Sequence, residues 1–139
     1  LHAALPIYSA TPAVIQAKPD VLRRYARAIV KASIVTRVNP KVAARYFLQG
    51  AGIPITPQSL ANEVALLNLI QAQLPGVDPL SKTIGYIPPR SITAYVRYLV
   101  ANGAMSAPIP TSTLVTNQFI SYANDFDHKA WIAQAKAMR

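Results

Sequence analysis

The placement of proline limits the possible folds of this chain more than any other feature. Pro19, Pro40, Pro57 and the pair Pro88-Pro89 each stand at the head of a stretch whose apolar residues recur at three- and four-residue steps. A helix tolerates proline in its first turn, where the missing N–H has no intrahelical partner anyway. The residue before a proline is in turn pushed out of the helical region. Each of these prolines therefore marks a helix start and a break before it. With 12 Pro and only 5 Gly in 139 residues, helices separated by proline-started turns are expected in place of hairpins.

The most secure helix covers residues 19–38, with Asp20 at the positive end of its dipole. Leu22, Tyr25, Ile29, Ala32 and Thr36 form its expected core stripe, with Val21, Ala28 and Val35 beside it and Arg23, Arg24, Arg27 and Lys31 opposite. Asn39-Pro40 ends it and opens a second helix over residues 41–49, expected to bury Val42, Ala43, Tyr46 and Phe47, with Gly50 and Gly52 as its stop. Thr56-Pro57 caps a third helix that runs to Leu74, where Pro75-Gly76 stops it. This helix is apolar on most sides, and such a helix needs cover on most sides. A fourth helix follows Pro88-Pro89, with Ile92, Tyr95, Val96, Leu99 and Val100 on one face, and Gly103 as its left-handed cap. Pro108 and Pro110 hold an extended connector. Thr111, Ser112 or Thr113 then caps a short helix carrying Leu114, Val115 and Phe119. Asp127 caps a terminal helix with Ala130, Trp131, Ala135 and Met138 on its inner side. Short strands are expected at residues 7–10 and 83–86 at most, and Pro12 begins a turn of helix. The expected fold class is mainly α, with about five or six helices and at most one or two short strands.

Composition sets further bounds. Apolar residues make up 52% of the chain, enough for a core. Without cysteine there is no disulfide framework, thiolate metal site or thiol nucleophile. The most apolar run, residues 60–74, is interrupted by Asn62, Glu63, Asn68, Gln71 and Gln73 and is shorter than the ~20 residues of a spanning helix. The first residues carry neither a starting Met nor a basic segment, so no signal peptide is read there. Leu1-His2-Ala3-Ala4-Leu5-Pro6-Ile7 resembles the translation of a sequencing adapter, so residues 1–7 are expected to be a non-native leader and residues 8–139 the domain proper.

The formal net charge is +9, and much of it is local: Lys18, Arg23, Arg24, Arg27, Lys31, Arg37, Lys41 and Arg45 are opposed in that stretch by Asp20 alone. A solvated face is the default for such a run. Docking on a membrane permease or on nucleic acid are the functional alternatives. Nucleic acid is not expected, because aromatic residues are not interleaved with the cations as a stacking platform.

Material for catalysis is thin. The carboxylates are Asp20, Glu63, Asp78, Asp125 and Asp127, scattered along the chain. Asp125 and Asp127 precede His128, a spacing that admits a metal, but a helix-capping role for Asp127 fits better. With no nucleophile–base pair and no glycine-rich phosphate loop, no enzyme activity is expected, and neither a cofactor nor a metal.

Several of these pieces occur together in a known family. A helix at residues 95–100, the stop Gly103-Ala104-Met105, a proline-containing connector at residues 107–110 and Asn117-Gln118-Phe119 resemble the end of the solute-binding proteins of ABC importers for nitrate, sulfonates, taurine and thiamine-pyrimidine precursors. Lys18-Pro19-Asp20 resembles a helix start of that family, and Tyr86 stands where it often carries an aromatic. Asn39-Pro40-Lys41-Val42-Ala43-Ala44 is similar to its Asn-Pro-x-x-Ala-Ala turn, although the family is commonly acidic after the proline and this chain has Lys41. The resemblance spans residues 9–124. It implies a type II periplasmic-binding-protein fold, two α/β lobes closing on a ligand, of which residues 8–139 would be the C-terminal helical part of the first lobe. It also implies capture of a small solute in the periplasm or another extracytoplasmic compartment and delivery to permease subunits, with the membrane reached only through the permease or a lipid anchor elsewhere. Ser9 and Thr11 would then lie near the ligand cleft, with most of the site upstream. The alternative is a free-standing basic helical module that binds nucleic acid or a protein partner.

Overall fold

The computed structural model describes residues 8–73 and 78–139. Among them are eight helices and no strand: α1 (Pro12–Ala17), α2 (Pro19–Val38), α3 (Pro40–Gly50), α4 (Pro57–Gln73), α5 (Pro89–Ala101), α6 (Thr111–Leu114), α7 (Ile120–Asn124) and α8 (His128–Ala137). The chain is mainly α, as its proline pattern predicts. The expected leader and the Pro75-Gly76 stop lie outside the described residues. Of the two expected strands, residues 8–10 have no regular structure and residues 83–86 form a turn closed by Tyr86 N–H to the Thr83 carbonyl at 3.0 Å.

Local chemistry sets the helix ends. Proline occupies the first turn of α1, α2, α3 and α5 and opens α4. The Asn39 side chain accepts from Val42 N–H at 3.3 Å at the start of α3, and Asp127 accepts from Ala130 N–H at 3.0 Å at the start of α8. Thr56 and Ser59 cap α4 reciprocally: Thr56 Oγ1 accepts from Ser59 N–H at 3.1 Å, and Ser59 Oγ accepts from Thr56 N–H at 2.9 Å. At the end of α5, Gly103 takes φ 71°, its N–H reaching Val100 O and that of Ala104 reaching Leu99 O, which completes a Schellman stop. Gly52, φ 68°, ends α3 in the same way, while Gly50 is still helical. The threonine cap expected for α6 is absent. Pro110 precedes the helix, Thr113 Oγ1 donates back to the Pro110 carbonyl, and Val115 is already extended. Phe119 thus belongs to the turn before α7.

Helix α2 is the spine. α1, α3, α7 and α8 pack on it, α4 packs on α3, and α5 pairs with α6. Val30, Ile34, Ile84 and Ala123 form one core cluster, and Val35, Val42 and Ala135 form another. Val38 and Trp131 touch both.

The faces of α2 and α3 differ in part from expectation: Val35 and Val42 are buried and Ala43 packs on the core as expected, but the rest of each face is turned. The buried residues of α2 are Val30, Ile34 and Val35. Their stripe runs with Ala26 and Val38, on nearly the opposite side from Leu22, Tyr25 and Ala32. The cause is that Arg27 and Lys31, read as solvent-facing, lie on aromatic rings. The Arg27 guanidinium sits 3.8 Å from the Tyr122 ring centre, and the Lys31 ammonium is 4.6 Å from that of Trp131 and 5.1 Å from that of Phe126. Long basic side chains cover apolar surface with their stems and satisfy their charge on ring faces, so a polar stripe can face inward. In α3 the buried residues are Val42, Ala44 and Leu48, and Tyr46 and Phe47 are 60% and 54% exposed.

None of residues 57–72 of α4 is buried, and Leu66, Leu69 and Ile70 are 48%, 57% and 44% exposed. Val21 and Tyr25 of α2 are exposed as well. Among the described residues, no helix is long and apolar enough to cross a membrane.

Candidate functional site

The two hydroxyls singled out by the resemblance lie at the start of the described chain. Ser9 is exposed on irregular backbone, and Thr11 caps α1, its Oγ1 accepting from Val14 N–H at 3.3 Å. A capping Thr11 keeps its own O–H free to donate, so both hydroxyls remain available to a polar ligand.

The Asp125–His128 cluster is structural. Asp127 is a cap, Asp125 lies 3.9 Å from the Arg27 guanidinium, and His128 is buried. The His128 ring places Nδ1 2.8 Å from the Pro79 carbonyl and Nε2 3.2 Å from that of Asn124, and its ring stacks on Phe126 at 4.2 Å. Among the described residues, no three His, Asp or Glu side chains converge as a metal site.

Arg27 is the most engaged of the basic residues. Its Nε and Nη2 donate to the Tyr122 carbonyl at 3.0 and 2.6 Å while its plane lies on the Tyr122 ring. That carbonyl, in the last turn of the short α7, also accepts from the Asp125 N–H at 3.2 Å. Lys82 likewise donates to the Phe126 carbonyl at 2.6 Å. Part of the basic run thus holds the fold together.

Lys41 and Arg45 serve differently. They stand one turn apart on α3, both exposed, and border an open groove of about 730 Å³ between α3 and α4. Its walls are Ile55, Thr56 and Pro57 from the connector and Leu60, Ala61, Val64, Ala65 and Asn68 from α4. The ion pairs among the described residues are Arg23–Asp20 and Arg27–Asp125, so neither Lys41 nor Arg45 has a counter-charge there. A smaller polar hollow of about 240 Å³ lies between Lys82, Ser121, Asn124 and Asp125. Nothing in either place pairs a nucleophile with a base. The groove sets two cations beside an apolar wall, a pattern complementary to an amphipathic anionic surface. Sequence reading missed it because its two sides come from separate helices. The available signal was the step from Lys41 to Arg45.

Comparison of the chain with protein-family models, with curated proteins and with solved structures finds no match.

Proposed function

We propose that this chain is the C-terminal helical part of a solute-binding protein of an ABC importer, of the nitrate, sulfonate, taurine and thiamine-precursor class. The observation that carries the reading is the bare apolar surface of α4. Leu66, Leu69 and Ile70 share one face by their spacing and are about half exposed, in a helix that carries apolar residues on most sides. A helix of that kind belongs inside a larger body. The exposed Val21 and Tyr25 of α2 ask for cover in the same way. In a two-lobe binding protein, a sheet from the preceding chain supplies that cover. The Asn39-Pro40 turn and the Gly103 stop, on which the resemblance rests, are capping devices in working order.

On this reading the protein binds a small polar solute outside the cytoplasmic membrane and passes it to permease subunits, catalysing nothing. Ser9 and Thr11 contribute hydroxyls at the edge of a cleft whose other wall lies upstream. The test is thermal melting of the protein extended upstream in frame, with nitrate, taurine, an alkanesulfonate and a thiamine pyrimidine precursor added in turn. One class should raise the Tm by several degrees at a large excess over its Kd. No shift with any of them would count against the reading.

A second reading, a basic helical module, draws on the exposed Tyr46 and Phe47 next to Arg45. It requires salt-dependent binding of nonspecific DNA or RNA. A flat titration at low salt removes it.

A further inference from the structure

The groove between α3 and α4 combines an apolar floor with a basic rim. Its floor is apolar, with Leu60, Val64 and Ile55, yet Lys41 and Arg45 stand at its edge without a counter-charge among the described residues. An apolar cover would leave both cations unpaired at its rim, whereas an occupant bearing carboxylates would pair them. The opposite side of α4, with Leu66, Leu69 and Ile70, is not part of the groove and suits a cover from the same fold. The groove therefore suits a separate, charged occupant.

We propose that it docks an acidic amphipathic helix of a partner protein. From Pro57 to Asn68 the groove follows α4 for about 18 Å at 1.5 Å per residue, or three turns of a partner helix. Lys41 and Arg45, four residues apart on α3, match two carboxylates four apart on that helix. Apolar partner residues at i, i+3 or i+4, and i+7 then seat on Leu60 and Val64. A small amphipathic anion fits less well, because small-molecule sites enclose most of the ligand surface and this groove is open along its length. The proposal does not depend on the solute-binding reading.

The experiment is fluorescence anisotropy with a labelled amphipathic peptide of roughly four turns, leucines on one face and two glutamates four apart. A peptide with lysines in place of the glutamates and a scrambled peptide are the controls. The proteins are the chain itself, the outer-face variant L66Q/L69Q/I70Q, the charge reversal K41E/R45E and the milder K41Q/R45Q, each checked for helicity by circular dichroism. The chain and the outer-face variant should bind the acidic peptide saturably, more weakly as salt rises. K41E/R45E should bind it at least about tenfold more weakly and gain affinity for the lysine peptide, with K41Q/R45Q between. Undiminished binding by both groove variants, equal binding of the scrambled peptide, or loss of binding in the outer-face variant would overturn the proposal. So would binding of anionic vesicles with none of the peptide.

Discussion

Asn124 does for Ile84 what a neighbouring β-strand would do. Its Oδ1 accepts from the Ile84 N–H at 3.2 Å, and its Nδ2 donates to the Ile84 carbonyl at 3.0 Å and to the Ile120 carbonyl at 2.9 Å. Asn117 repeats the device on Ile87, accepting at 3.0 Å and donating at 2.8 Å. The two asparagines clamp the turn before α5 to the chain around α7 with no strand between them. Asn124 is buried, so its loss leaves backbone groups unpaired and away from water.

Asn124→Ala should therefore destabilise the chain by about 2–4 kcal/mol, and the half-buried Asn117→Ala by about 1–2 kcal/mol. Urea denaturation followed by circular dichroism measures both. A cost for Asn124→Ala below about 0.5 kcal/mol would mean that the clamp contributes little.

Trp131 joins the two core clusters and donates Nε1–H to the Lys31 carbonyl at 3.1 Å. Trp131→Ala should cost about 3–5 kcal/mol by emptying the junction. Trp131→Phe, which keeps a ring and drops the donor, should cost nearer 1 kcal/mol. Equal losses in the two variants would assign the effect to the hydrogen bond alone.

Arg27 combines two hydrogen bonds to one carbonyl with a ring stack. Lysine supplies neither the fork nor the plane, so Arg27→Lys should lose most of what Arg27→Ala loses, about 1–3 kcal/mol. Arg24, whose described contact is to the Asp20 carbonyl on its own helix at 3.4 Å, is the control and should fall within about 0.5 kcal/mol. Comparable losses at both positions would contradict the structural role given to Arg27.

The uncovered face of α4 should make the isolated chain bind a hydrophobic dye and self-associate. L66Q/L69Q/I70Q should reduce both with little change in Tm. A monodisperse, cooperatively melting chain that leaves the dye dark would show that this face needs no cover.

Helix positions were legible in the sequence because their causes are local. Pro19, Pro40 and Pro57 with Asn39, Thr56, Gly103 and Asp127 act within a few residues of themselves. Val35, Val42 and Ala43 were legible as inward residues, but most of the inward face of α2 was not. The orientation of α2 depends on Tyr122, Phe126 and Trp131, far along the chain, which turn Arg27 and Lys31 into core-edge residues. The asparagine clamps were hidden for the same reason, since Asn124 and Ile84 are 40 residues apart. Asn39 shows both sides. Its cap on α3 follows from its place before Pro40, whereas its Nδ2 bonds to the Ala135 and Met138 carbonyls at 3.0 and 3.2 Å, which tie down the end of α8, do not. Of the candidate site, the cations were visible and the groove they border was not.

The most direct measurement is the sequence of the source locus upstream of Tyr8. The account predicts an open frame that continues upstream through alternating strand and helix patterns to an export or lipoprotein signal. A start codon within a few codons of Tyr8 would contradict it and leave a self-standing basic helical protein.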